Sequence, residues 1–271
     1  MDQDIKAKIN CMIKRQPLKE ERGVYFFIPI NIKVLSSNTQ SNDFRERVKK
    51  KIPKFYEFIT AFMNAFFEQS LGVPRALAIA FPRGYSEKTV VNIGSGISRI
   101  GNAIINLDCC AYSGVHIVAD AVDLPFVDES VDMIISISLL EHMPEPEKAL
   151  AEMIRVLKPN GYFYCAVPFM YPFHSAPNDY VRFTLGWFDH RLANFNIIRS
   201  GIDGGPITAL TISLAYTIAL IFSFGSQSWY SLLRDFFIVL FAPLRIFDFA
   251  LSKSQFAEDV AASIYLFARK K

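Results

Sequence analysis

Between residues 87 and 200 the chain repeats one pattern: a short apolar run rich in β-branched residues, a turn, and in places a helical stretch. That alternation constrains the fold most, because strands joined by such connections lie parallel in a sheet covered on both faces. Residues 89–93 run straight into Gly94 and predict a buried strand that ends in a tight turn. Residues 103–107, 116–119, 131–137, 161–167 and 194–199 read as further strands. Residues 145–157 put Leu150, Ile154 and Leu157 on one helical face, and Lys158-Pro159-Asn160-Gly161 is the turn that stops the helix. A last strand is expected at residues 261–267.

The flanks have a different texture. Residues 1–86 are expected to form a helical extension or lid, with a helix over 43–71 whose Phe55, Phe58, Phe62 and Phe66 form an aromatic stripe, preceded by a polar loop at 36–43. Residues 206–256 read as an apolar helical hairpin inserted before the final strand at 257–271: positions 207–224 carry no charge, and a glycine–serine turn at 225–228 separates them from a second apolar stretch. This segment helps to explain 51% hydrophobic residues, 25 Phe and a mean hydropathy of +0.22. A net charge of +3 with no dense basic stripe argues against a nucleic-acid partner. Cys11, Cys109, Cys110 and Cys165 lack metal-ligand spacing, so no metal is expected. They read as reduced thiols, and with the acidic, polar start Met1-Asp2-Gln3-Asp4 they predict a cytoplasmic place.

Chemistry enters at Asn92-Ile93-Gly94-Ser95-Gly96. A strand followed by Gly-x-Gly lets backbone turn sharply and approach a ligand with no Cβ in the way. Alone it is a weak signal. The features that follow it come in order: Asp108 at the end of the second strand, Asp120-Ala121 after the third, Ser136 and Ser138 at the end of the fourth, then Leu139-Leu140-Glu141-His142-Met143 and Arg155-Val156-Leu157-Lys158-Pro159-Asn160-Gly161. Over roughly residues 88–205 this set resembles the class I S-adenosylmethionine-dependent methyltransferases of the type 11 kind. The resemblance implies a Rossmann-like, doubly wound α/β sheet, mostly parallel with the last strand antiparallel. It also implies S-adenosylmethionine as cofactor. Gly94, Ser95 and Gly96 would lie against its methionine end, Asp108 would hold the ribose, and Asp120 and Ala121 would meet the adenine. Ser136 and Ser138 would line the pocket, which Glu141 and His142 would close. Asn92 stands where an acidic residue is usual, and Ser98 replaces a third glycine. Residues 97–102 leave room for only a very short first helix, and the connection to the third strand is also abbreviated.

The loop after the fifth strand, residues 167–184, is dense in proline, aromatic and polar groups, as functional loops at a sheet's mouth tend to be. Its His174…Pro177-Asn178-Asp179-Tyr180…Arg182-Phe183-Thr184 run resembles a methyltransferase subgroup associated with surface-polysaccharide synthesis. Methyl transfer to a hydroxyl needs a base. His174 is the first candidate and Asp179 the second, as base or as the group that orients His174. Tyr171, Asn178, Tyr180 and Arg182 are candidates for binding the acceptor; Arg182 alternatively pairs with Asp179. The expected activity is O-methylation of a saccharide, a lipid-linked glycan or a lipid. The alternative is a catalytically inactive cofactor-binding or membrane-attached interaction module. The hairpin at 206–251 is expected to lie on or dip into a membrane, with Arg234, Arg245 and the basic C-terminus at the headgroups; packing on the protein itself or on a second copy is the competing reading.

Overall fold

The structure, a computed structural model, describes residues 3–29, 71–174 and 178–271. The expected polar loop at 36–43 and most of the aromatic helix at 43–71 lie outside the described residues. In chain order the elements are α1 (Gln3–Met12), β1 (Lys19–Glu21), β2 (Val24–Phe26), α2 (Val73–Ala80), β3 (Val90–Ile93), β4 (Ile105–Asp108), β5 (Ile117–Val118), β6 (Val131–Ile137), α3 (Pro146–Val156), β7 (Leu157–Pro168), α4 (Leu185–Arg191), β8 (Phe195–Gly204), α5 (Pro206–Phe222), α6 (Gln227–Phe241), α7 (Asp248–Leu251) and β9 (Ser263–Lys270). All described strands join one sheet in the order β1-β2-β5-β4-β3-β6-β7-β9-β8. The run from β2 to β7 is parallel, and β9 lies between β7 and β8, antiparallel to both. Chain order reverses beside β3, which has β4 on one side and β6 on the other. Such a switch point opens a crevice beyond the strands' carboxyl ends.

The central strands form because their residues are buried on both faces: β3 and β4 are buried at every position. One face packs Ile93, Ile134 and Phe163 under α1, α3 and α4 through Ile9, Leu150, Met153 and Phe188. The other packs Val90, Met133, Tyr164 and Phe267 under α2 through Ala76 and Leu77. Full burial of each such aliphatic or aromatic side chain contributes about 1.5–3 kcal/mol.

The short connections after β3 and β4 contain no helix at all. The missing cover comes from the N-terminal segment. Rather than forming a lid, α1 sends Ile5, Ile9 and Met12 into the core beneath β4 and β5, and its end is bound by Lys14 N to Pro125 O and Val127 N to Met12 O. The extension is also not purely helical, since the β1–β2 hairpin adds to the sheet edge by pairing Tyr25 and Phe26 with Ile117 and Val118.

Helix α3 starts with proline in its first turn beside Glu147 and closes with Arg155 in its last, which suits the helix dipole. Its buried face is Ala149, Leu150, Met153 and Val156, with Ile154 at the margin, while Leu157 already belongs to β7. The Lys158–Gly161 turn sits inside that strand as a bulge: pairing jumps from Leu157 opposite Val131 to Tyr162 opposite Met133. Asn160 has φ +63°, and a Cβ on Gly161 would come within 2.8 Å of Lys158 O.

Between β8 and β9, α5 and α6 form a helical hairpin. Among the described residues no helix is long and apolar enough to cross a membrane. The basic groups expected at headgroups are engaged elsewhere. Arg245 is buried at 1% exposure, because α5 and the turn after α6 close over it beside Asp248. Arg234 pairs with Asp235 and lies over the Tyr216 ring. At the C-terminus Arg269, Lys270 and Lys271 donate to main-chain carbonyls, Lys270 to both Ile154 O and Leu157 O.

Candidate active site

The glycine loop leaves β3 at the switch point. Gly94 (φ +72°) and Ser95 donate their N–H groups to Leu107 O at 2.9 and 3.1 Å, so the loop is bound to the end of β4. A Cβ on Gly94 would lie 2.8 Å from Leu139, so glycine is required there for backbone angle and for space. Gly96 (φ +53°) has open space around it and donates its N–H to Asp108 Oδ2 at 2.8 Å. Asp108 Oδ1 accepts from Cys110 N at 2.9 Å. The Asp108 carboxylate therefore sits at the end of β4 and also braces the loop.

Asn92 lies buried below this loop and donates its amide to Asn106 Oδ1, its cross-strand neighbour, at 3.3 Å. An ionised carboxylate at that position would have no proton to donate, which accounts locally for asparagine in place of an acid. Asp120 follows β5, and its Oδ1 accepts from Val122 N at 3.1 Å in a tight turn beside buried Ala121. Ser136 is buried on β6, and Ser138 turns the chain at φ +49° with its N–H on Ala166 O. Ser95 Oγ and Ser136 Oγ are buried with no hydrogen-bond partner. Buried hydroxyls are rarely left so unless a ligand completes them. Two orphaned hydroxyls, a glycine cradle and acids at successive strand ends fit a nucleoside-bearing cofactor. A cavity of about 440 Å³ lined by Arg99, Asn106, Gly114 and His116 lies instead at the amino ends of β4 and β5, away from these groups.

Beyond β6 the chain makes one tight helical turn over Leu140–His142, and this turns Glu141 inward to 0% exposure. Neither Glu141 oxygen has a hydrogen-bond partner in another residue. Burial raises its pKa; its own amide, His142 and Arg182 pull the other way. The loop after β7 meets this turn. Tyr180 N donates to Glu141 O at 2.7 Å, and His142 Nδ1 donates to Asn178 O. His174 packs edge-on against both His142 and Tyr171, with ring centroids 5.1 Å apart in each case. Its Nδ1 is 3.4 Å from Asp179 Oδ2 and its Nε2 is 3.9 Å from Glu141 Oε1.

Asp179 is held from three sides. It accepts from Arg182 through both oxygens and from His174 N at 2.9 Å. The Arg182 guanidinium lowers its pKa to about 2. Asp179 is thus no base near neutral pH, and of its two expected roles the orienting one remains. Arg182 also donates to Tyr171 O, so its guanidinium is committed within the loop and not free for an anionic acceptor. Burial lowers the His174 pKa against the opposing pull of Asp179, which keeps the imidazole neutral at pH 7. The Asn178 amide donates to the Tyr180 hydroxyl at 3.0 Å, and the Tyr180 ring is exposed.

Two further residues bear on the loop. Leu139 shapes the loop by filling the space above Gly94, and Asn106 satisfies Asn92. Neither is marked by its type; only the strand register pairs Asn106 with Asn92.

Residues 101–165 match the family model described as a methyltransferase domain. Residues 101–165 are thus similar to a methyltransferase domain, and they lie within the Rossmann-like sheet described above. The chain is 32% identical over 98 residues to a sterol methyltransferase-like protein of Botryococcus braunii, which is 27% of this chain and 25% of that one. It is 43% identical over 51 residues to an uncharacterized methyltransferase of Mycobacterium avium, 19% of this chain and 20% of the relative. The chain thus spans about a quarter or less of the length of these two relatives. Among solved structures, phosphoethanolamine N-methyltransferase 2 of Haemonchus contortus in complex with S-adenosyl-L-methionine aligns at 17% identity and TM-score 0.44, over 85% of this chain and 60% of that one.

Proposed function

We propose that this chain moves the methyl group of S-adenosylmethionine to a hydroxyl of a saccharide, a lipid-linked glycan or a lipid at the cytoplasmic face of a membrane. The observation that carries this reading is the neutral His174 imidazole, held by Asp179 at the mouth of the crevice beside Glu141. The cofactor supplies a methyl group on a sulfonium, so the leaving group is already activated. The protein's task is then to hold both partners in line and to accept one proton. Gly94, Ser95, Gly96 and Asp108 form the cradle, with Asn92 supporting it from below, and Asp120, Ala121, Ser136 and Ser138 complete the cofactor side. His174 Nε2 takes the hydroxyl proton, and Asp179 positions the ring and favours the charge it gains. Tyr171, Asn178 and Tyr180 line the acceptor's approach, and His142 closes the pocket. Arg182 acts through Asp179 as a positioning residue.

The membrane part of the reading rests on the hairpin. Leu220, Phe222, Phe224, Trp229, Phe236 and Phe249 are all more than half exposed, with Phe224 at 91%. So many exposed large apolar side chains on one hairpin favour a membrane or protein contact. At 17 residues α5 is shorter than the roughly 20 needed to span a bilayer, which favours lying in the interface.

Calorimetry with S-adenosylhomocysteine, followed by transfer of labelled methyl into glycan and lipid extracts, tests the activity. Loss of binding in Asp120→Ala and labelled product from wild type are expected. No binding by wild type sinks the reading. Binding without product favours a catalytically inactive module, a reading to which the uncharged Asn92–Asn106 pair beneath the loop lends weight. Liposome flotation of the full chain tests the hairpin, and failure to float removes the membrane.

A further inference from the structure

The corner where His174 meets Glu141 has an electrostatic oddity. Three side chains point at one spot, and none brings it a proton or a positive charge. His142 Nδ1 faces the Asn178 carbonyl, which can only accept, so the ring proton is on Nδ1 and Nε2 carries the lone pair. His174 Nδ1 faces Pro172 O and Asp179 Oδ2, each at 3.4 Å, which again places the proton on Nδ1 and the lone pair on Nε2. Both Nε2 atoms face Glu141 Oε1, at 3.7 and 3.9 Å. Glu141 is fully buried and its carboxylate accepts from no other residue. Two lone pairs therefore converge on a carboxylate that accepts from its own amide and from no other residue.

Buried acceptors in that arrangement repel unless a proton or a cation occupies the space they share. The ligand atoms of Glu141, His142 and His174 all lie within 4.8 Å of one another. At metal–ligand bonds of about 2.0–2.1 Å, tetrahedral ligand atoms sit about 3.3 Å apart, so inward shifts of a few tenths of an ångström close the nearer pairs. The supporting contacts are already in place. Each imidazole uses its other nitrogen on a carbonyl or carboxylate, and Asp179 is itself fixed by Arg182.

We propose that Glu141, His142 and His174 form a binding site for one divalent transition-metal ion of the zinc, iron or manganese class. Two imidazoles and one carboxylate suit these borderline ions better than magnesium or calcium, which favour all-oxygen sites. The site has three protein ligands and leaves further positions open, as catalytic sites do. It deepens the reading of this corner as the acceptor's corner, on which it rests. With a cation there, the His174 lone pair becomes a ligand, and the ion takes over from the bare imidazole the task of making the hydroxyl acidic. The sequence hides the site because Glu141-His142 and His174 lie on separate segments that meet only in the fold.

The test uses the full chain stripped with chelator and titrated with Co²⁺ by calorimetry and absorption, with S-adenosylhomocysteine binding measured on the same sample. One Co²⁺ per chain is expected. Glu141→Gln and His174→Gln should each weaken its binding at least about tenfold while S-adenosylhomocysteine still binds. The Cys109→Ser/Cys110→Ser double variant should bind Co²⁺ as wild type does, which separates this site from the thiols beside Asp108. Melts without metal check folding, and His174→Gln, on a surface loop, carries the test if Glu141→Gln does not fold. A chain that binds S-adenosylhomocysteine but no Co²⁺ overturns the proposal, as does Co²⁺ binding that survives both ligand variants or is lost in the cysteine variant. Co²⁺ bound through these ligands by a chain that ignores S-adenosylhomocysteine would instead overturn the methyltransferase reading and leave the metal site standing.

Discussion

Among the described residues two carboxylates, Glu141 and Asp248, are at 0% exposure, and they differ in how their oxygens are satisfied. Asp248 sits at the amino end of α5. It accepts from Ile207 N at 2.7 Å, Thr208 N at 2.9 Å and Thr208 Oγ at 2.7 Å. It thereby caps a helix whose own preceding residue, Gly205, has no side chain to do so. The Glu141 carboxylate receives nothing from another residue. A buried carboxylate whose acceptor sites are filled by its own chain is part of the scaffold. One left unfilled at a sheet's switch point is kept for something that arrives, at a cost in stability that the rest of the fold must offset.

That contrast can be broken by exchanging what each residue loses. Glu141→Gln should lower methyl transfer by at least about a hundredfold while the melting temperature stays within a few degrees of wild type or rises, because a neutral amide is cheaper to bury than an unpaired charge. Retained transfer with a collapsed melting temperature would make Glu141 a scaffold residue after all. Asp248→Ala should do the reverse. Urea melts should show a loss of about 2–3 kcal/mol, the sum expected from a lost cap and newly unpaired buried donors, while S-adenosylhomocysteine affinity is unchanged.

The two glycines of the loop sharpen the comparison at smaller scale. Gly94→Ala must strain a φ of +72° and push Leu139 from 2.8 Å, whereas Gly96→Ala strains φ alone. The first should cost about 1–2 kcal/mol more in stability than the second, measured by the same melts. The smallest expected effect concerns pH. Asp179 has its folded pKa lowered to about 2 from an ordinary 3.8, so its contribution is fully present above pH 3.8 and is lost as pH falls through about 2. Wild type should therefore lose more stability than Asp179→Asn between pH 5 and pH 2.5. Because Arg182 is partly exposed the difference is modest, and parallel curves would count against the pairing.

Much of the sheet was legible in the sequence. The strand expected at 131–137 has those bounds in the fold, and those at 89–93, 103–107, 116–119, 194–199 and 261–267 all overlap real strands. Those at 89–93, 103–107 and 116–119 are announced by a local apolar run ending at a glycine or an acid. The hairpin of β1 and β2 was not legible, since Lys19–Glu21 is charged and exposed and its partner β2 has only three residues. It is a strand because it lies along β2, which pairs with β5, not because of its own pattern. The cover supplied by α1 was equally hidden. A helix normally found after the first strand has been replaced by one that precedes it in the chain, and nothing in either local stretch says so.

The cradle and its neighbours follow from residue type alone. Gly94 and Gly96 permit the backbone angles the loop adopts, and β-branched runs favour the extended chain that brings Asp108, Asp120 and Ser136 to strand ends. Those are local preferences, decided within a few residues. Which of these groups would be satisfied and which left bare was decided only by the tertiary structure. Asp248 finds its donors at Ile207 and Thr208 because the hairpin folds back on itself, whereas Glu141 is buried where the loop after β7 sets His174 against the adjacent His142. Burial and partnership depend on segments distant in the chain, and their energies are set by what surrounds a group rather than by what it is.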